Sequence, residues 1–200
     1  MNRAELRQEV FDRGFDYLPA ARVNRFLNKR YRRVCNLEAW PFLEASTTLT
    51  APASIPDLRA ILHVTDTRGN RPLGYEDYRT ILDRDPNLRA NGTPTSWYLF
   101  DGQLHVYPLS GNTLSVRYLR RVAPLTADAD EPLIPEEYQY EILVEGACAD
   151  AYRDSDNAEM AALCEAEYAS AIDDMRNDLL VPNYDGPSDI AITFGTSTDW

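Results

Sequence analysis

The chain has 200 residues, 44% of them hydrophobic and 26% charged; that is enough apolar material for one sizeable folded unit or two small lobes, and too much for a disordered chain. Nowhere do about 18 apolar residues run together, so no membrane-spanning helix and no membrane partner are expected; the start, MNRAELRQEV, lacks the apolar core of a secretory signal, so the mature chain is expected to begin there. The net charge of −12 is unevenly divided: residues 1–40 hold nine Lys/Arg against five Asp/Glu, residues 41–124 nine against eight, and residues 125–200 two against nineteen.

The first predicted helix, residues 3–13, places Leu6 and Val10 one turn apart and stops at Gly14, a residue suited to a left-handed C-terminal cap. The second runs from about residue 19 to 39, with Val23, Phe26, Leu27, Tyr31, Val34 and Leu37 at helical spacing and Arg22, Arg25, Lys29, Arg32 and Arg33 on the other side. Trp40-Pro41-Phe42 closes it, because proline disfavours helical geometry in the residue before it.

From residue 44 to 122 the period changes to two. ASTTLTA (45–51) and LRAILHVTDT (58–67) read as strands, the second ending in a turn at Arg68-Gly69-Asn70. TSWYLFDGQLHVYPLSGNTLSVRYLRRV supplies three more, punctuated by Asp101-Gly102, a strong two-residue hairpin signal, and by Ser110-Gly111-Asn112. With one short helix at 75–84, this predicts a small antiparallel sheet of about five strands.

A Pro- and Asp-rich crossing, APLTADADEPLIP (123–135), leads back to helical pattern. Pro135 followed by Glu136 and Glu137 favours a helix start, since proline lacks a donor where none is needed and carboxylates suit the positive end of the dipole. The third long helix (136–154) is expected to bury Tyr138, Ile142, Ala147 and Ala151, and the fourth (157–179) Ala161, Leu163, Cys164, Tyr168, Ile172 and Met175. The short link at 154–157 predicts an antiparallel helical hairpin. Pro182, Gly186, Pro187 and Gly195 forbid a long helix at the end, yet Ile190, Ile192 and Phe194 alternate as in a strand, which predicts an extended arm over 181–200 that docks onto another surface.

No residue pattern points to catalysis. His63 and His105 alternate with apolar neighbours in predicted strands, and there is no GxSxG, HExxH or GxxxxGK[ST]. Asp83-x-Asp85-x-Asn87 lacks the glycine and distant glutamate of a calcium loop, and Asp128, Asp130 and Glu131 read as a polar linker. Cys35, Cys148 and Cys164 sit in apolar helical patterns and are expected as buried thiols. No enzyme activity, cofactor or metal is therefore expected.

The uneven charge fits either a nucleic-acid arm with an acidic tail or copies that meet through opposite faces. The basic helix has no aromatic residues interleaved with its arginines for base stacking, since Phe26 and Tyr31 belong to the apolar stripe. An acidic chain also repels phosphate. Its basic face, Arg22, Arg25, Lys29, Arg32 and Arg33, is expected instead to meet the acidic surface of the last two helices of a neighbouring copy, a head-to-tail contact that closes into a ring when the rotation permits.

The run ELRQEVFDRGF, RVNRFLNKRYRRVCNLEAWPFLEA, IPDLRAILHVTD, GTPTSWYLFDGQLHVYPLSGNTLSVRYLRR and APLTADADEPLIPEEYQYEILVEGACADAYRDSDN resembles the head-to-tail adaptor (connector) proteins of tailed bacteriophages over nearly the whole chain. The resemblance implies an α+β fold: a mainly helical bundle of about four helices, with N-terminal helices at 1–43 and a C-terminal hairpin at 123–180, carrying a β-rich insertion at 44–122 and an arm at 181–200. It implies a structural protein of the virion neck, assembled in the host cytoplasm as a ring, expected as a dodecamer, under the portal. Genomic DNA would pass through the ring without sequence-specific binding, and the arm, through Tyr184, Ile190, Ile192, Phe194 and Trp200, would grip the portal. Two alternatives remain open: a tail-completion or tail-tube adaptor, which would contact a tail protein first, and a nucleic-acid-binding regulator built on the basic helix.

Overall fold

The computed structural model describes residues 1–180. The predicted arm, with Tyr184, Ile190, Ile192, Phe194 and Trp200, lies outside the described residues. Helix α1 (Arg3–Val10) opens with a capping box: the Glu5 amide donates to Asn2 Oδ1 at 3.0 Å, and the Asn2 amide donates to the Glu5 carboxylate at 2.8 Å. It continues into one π-helical turn, Phe11–Phe15, where Gly14 adopts φ 94°, a left-handed conformation that glycine enters without steric cost. Helix α2 (Ala20–Leu37) then buries Val23, Phe26, Leu27, Tyr31, Val34 and Cys35.

The chain returns to helix at α4 (Glu136–Gln139), which passes through a π-helical stretch (Tyr140–Glu145) into α5 (Gly146–Asp154). The residues at both joins keep right-handed helical dihedrals, so 136–154 is one continuous helix. After a short turn, α6 (Ala158–Leu180) runs back antiparallel to it, with Arg153 bonded to Glu165 at one end and Tyr138 to Asp178 at the other. With the short α3 (Tyr78–Arg84) this makes five helices among the described residues. The bundle core joins Leu6 and Val10 of α1 and the buried stripe of α2 to Ile142, Leu143, Ala147, Cys148, Tyr168, Ile172 and Met175. Two expected core leucines are not in it: Leu37 is 45% and Leu163 54% exposed. Each lies at the margin of its apolar stripe, where helical spacing alone does not separate the core from its rim.

The insertion keeps the five predicted strands and adds two short ones. A four-stranded antiparallel sheet has the order β1 (Glu44–Thr50), β7 (Thr113–Arg120), β2 (Leu58–Asp66), β3 (Arg71–Pro72). A second sheet has the order β4 (Gly74–Tyr75), β5 (Ser96–Phe100), β6 (Gln103–Tyr107), with β4 parallel to β5. The expectation of a single antiparallel sheet is thus corrected to two. The Asp101-Gly102 hairpin, with both residues at positive φ, pairs its strands to each other, and the chain reaches it from β3 through only two further strand residues. The sheets share a core of Val64, Leu73, Leu104, Val106, Leu114 and Val116, distinct from that of the bundle.

The two parts are joined at the end of α2. Arg59 of β2 donates to the carbonyls of Cys35 at 2.7 Å, Glu38 at 3.1 Å and Asn36 at 3.1 Å. These are acceptors that the helix end leaves without partners, and a cation there also complements the helix dipole. Trp40, fully buried, donates its indole N–H to the Val34 carbonyl at 2.8 Å and packs in the bundle core beside Leu43 and Leu119.

Candidate functional site

The charged residues of α2 divide into two sets. The first is turned inward. Arg30 is 0% exposed and donates from Nε to Asp150 Oδ2 at 3.0 Å, from Nη2 to Asp150 Oδ1 at 2.8 Å, and from Nη1 and Nη2 to the two Glu165 oxygens at 3.1 and 2.9 Å. Its guanidinium carbon lies 4.7 Å from the ring centroid of Tyr168. Lys29 donates to Asp150 Oδ1 at 2.9 Å, Arg22 pairs with Asp154, and Arg153 bridges Asp150 and Glu165 from the acidic side. Burial works against the charge on Arg30, but the hydrogen bonds it donates to Glu165 and Asp150 outweigh it and hold the guanidinium above its ordinary pKa. For Asp150, burial alone would favour the neutral acid, and the bonds from Arg30 and Lys29 reverse that; Glu165 is lowered chiefly by its bonds to Arg30.

Gly146 makes room for this cluster. Its backbone is ordinary helix, but a Cβ there would sit 3.0 Å from Arg30 Cγ and 3.0 Å from Tyr168 Cδ2. A sequence scan of α2 that groups Arg30 with its basic neighbours misses this centre. The available signal is position: Arg30 follows Val23 by seven residues and Phe26 and Leu27 by four and three, so it falls on the buried stripe.

The second set faces solvent. Arg25, Arg32 and Arg33 are exposed and have no ion-pair partner among the described residues. Of the five residues of the predicted basic face, two therefore reach acidic groups of their own chain and three remain outward. On α6, Glu159, Glu167 and Asp174 are likewise exposed and free of ion pairs among the described residues.

Other charged pairs hold the bundle together. Arg3 and Arg7 both bind Asp128 in the linker, at 2.6 and 2.9 Å, and these bonds, that from Arg7 foremost, hold its carboxyl far below the usual carboxylate range. Arg13, in the first π-helical turn, reaches both the buried Glu145 and, at 3.1 Å, the Tyr140 hydroxyl in the second. Asp130 accepts from the Thr126 and Ala127 amides at 2.6 and 2.7 Å, and Asp85 from Ala90 at 2.9 Å, which makes both turn-forming residues. His63 is exposed on β2; His105 lies 5.0 Å from Tyr98, ring to ring, and burial lowers its pKa. Cys35, Cys148 and Cys164 are buried free thiols, and burial pushes the first two up to about 12. No group of three or more His, Cys, Asp or Glu that could hold a metal ion occurs among the described residues, and no described helix is long and apolar enough to cross a membrane.

The described residues offer a charged seam inside the bundle, two outward sets of charges of opposite sign, and an exposed apolar group, Tyr75, Leu99 and Phe100, on the second sheet. No curated protein matches the chain. The family model described as SU10 adaptor protein matches residues 1–188, almost the whole length, and the chain belongs to this family of phage head-to-tail adaptors.

Proposed function

We propose that this phage structural protein forms a ring, expected as a dodecamer, under the portal, joins capsid to tail at the virion neck, and lines the channel through which genomic DNA passes without sequence-specific binding. The observation that carries the reading is the family match over residues 1–188. Charge supports it further: Arg22, Lys29 and Arg30 are engaged within the chain, which leaves only three outward cations on α2, too few and too free of stacking partners to favour a nucleic-acid reader. The same three cations, Arg25, Arg32 and Arg33, are suited to a neighbouring copy. The carboxylates of the C-terminal half suit a conduit wall, because like charge keeps passing phosphates from adhering.

The arm supplies the grip on the portal through Tyr184, Ile190, Ile192, Phe194 and Trp200: an added strand gains backbone hydrogen bonds while alternate side chains enter pockets. A ring multiplies that grip, since each bound arm raises the effective concentration of the next. Deletion of residues 181–200 tests the arm. Portal attachment is expected to vanish while the circular-dichroism spectrum and melting of the body persist; unimpaired attachment refutes the arm's role. Imaging of virions with this chain labelled tests the whole reading, and a label on the tail tube away from the portal would transfer the chain to tail completion.

A further inference from the structure

Helix α6 has two free flanks, and they differ. One faces α2 across a groove of about 220 Å³ lined by Arg33 and Leu37 from α2 and by Tyr168, Ala169, Ile172 and Asp173 from α6. Glu165 completes the lining, so apolar and charged groups of both signs alternate there, and Tyr168 at its floor is 3% exposed with no hydrogen-bond partner for its hydroxyl. The opposite flank holds Leu163 and Glu167, which border the turn that carries Arg13. At 3.6 residues per turn, Asp174 continues that stripe two turns beyond Glu167, and Glu159 precedes it by about two turns.

Helix α2 thus presents three unpaired cations, Arg25, Arg32 and Arg33, on its outward side, and the far flank of α6 presents Leu163 among three unpaired carboxylates, Glu159, Glu167 and Asp174. At 1.5 Å per residue the cations span about 12 Å and the carboxylates about 22 Å, so the first stripe fits within the second. No ion pair joins the two stripes within one chain among the described residues.

We infer that the outward side of α2 of one copy docks onto the far flank of α6 of the next, with the two charged stripes facing and Leu163 desolvated in the contact. The occupant is a second copy of this chain, because the two surfaces carry charges of opposite sign that form no ion pair within the described residues of one chain. Such a contact is heterologous: every copy gives one flank to each neighbour, as a closed ring requires. Charge complementarity fixes the order of copies and rejects the mirror pairing of like flanks. This inference rests on the ring reading above and names the surfaces that build it.

The test uses two full-length variants, R25E/R32E/R33E and E159K/E167K/D174K, whose altered side chains form no ion pair within the described body. Both should melt as the wild type does. In sedimentation and native mass spectrometry, each alone should lose the self-association of the wild-type chain. An equimolar mixture should regain it with the two variants in 1:1 proportion, because reversed α2 flanks meet reversed α6 flanks and unreversed meet unreversed. Variants that each assemble alone, or a mixture that stays monomeric, overturn the assigned flanks while a wild-type ring leaves the adaptor reading standing. A wild-type chain that remains monomeric at every concentration and on the isolated portal overturns both.

Discussion

The buried Arg30 cluster predicts an unusual order of stabilities. Asp150→Ala removes two of the four bonds to the guanidinium but leaves the bidentate pair with Glu165, so a loss of about 2–3 kcal/mol is expected. Glu165, at the edge of the cluster, should cost less alone. The double variant D150A/E165A strands a fully buried cation with only the Tyr168 ring against it, and should lose more than the sum of the two, about 5 kcal/mol or more, which for a chain of this length corresponds to a fall of at least about 10 °C in Tm. Adding Arg30→Met to that double variant should then restore about 3 kcal/mol, since a flexible apolar side chain packs on Tyr168 and Lys29 and Arg153 remain solvated at the surface. Urea unfolding followed by circular dichroism at pH 7 measures all four. If the third substitution deepens the loss instead of relieving it, the cluster is not a charge balance around Arg30 and the reasoning fails. Acid provides a second readout. The folded pKa values of Asp150 and Glu165 are depressed, so their stabilisation is complete above the ordinary carboxylate range near pH 4 and is lost as pH falls through the lower folded values. The triple variant should therefore lose less stability on acidification than the wild type.

Further perturbations address the packing and the joint. Gly146→Ala gains about 1 kcal/mol of helix propensity but forces a methyl against Arg30 and Tyr168, so a net loss of about 1–2 kcal/mol by thermal melting is expected; a gain would show that the cluster yields. Arg59→Ala strips the end of α2 of three hydrogen bonds and should raise amide exchange at residues 36–44 before it affects the rest of the bundle, measured by hydrogen–deuterium exchange. Cys35 and Cys148, with thiols held near pKa 12 by burial, should resist alkylation at pH 8 in the native chain and react only on unfolding, as read by mass spectrometry; rapid native labelling would contradict the packing.

Periodicity made the long elements readable from sequence. The 3.6-residue spacing in α2 and α6 and the Asp101-Gly102 turn are local signals, and the corresponding helices and hairpin occur where those signals lie. Local pattern places Arg30 on the buried stripe of α2 but does not show what neutralises it there. Arg30 has the same side chain as Arg32 and Arg33, and its neutralising neighbours across space, Asp150 and Glu165, lie some 120 and 135 residues away. Leu37 and Leu163 mislead in the opposite direction: both suit a stripe, and both lie at its margin. The splitting of the strands into two sheets escaped for a related reason, since the parallel pairing of Gly74 and Tyr75 with β5 involves only two residues and leaves no alternation to detect.

The clasp of Arg59 on the last carbonyls of α2 has a mechanical meaning. Three hydrogen bonds from one side chain, all to carbonyls within about one turn of backbone, act side by side, so a pull on the sheet is divided among them instead of being taken by each in succession. Tension entering through β2 is thereby handed to the axis of α2 and, by way of Arg30, to the helical hairpin beyond it.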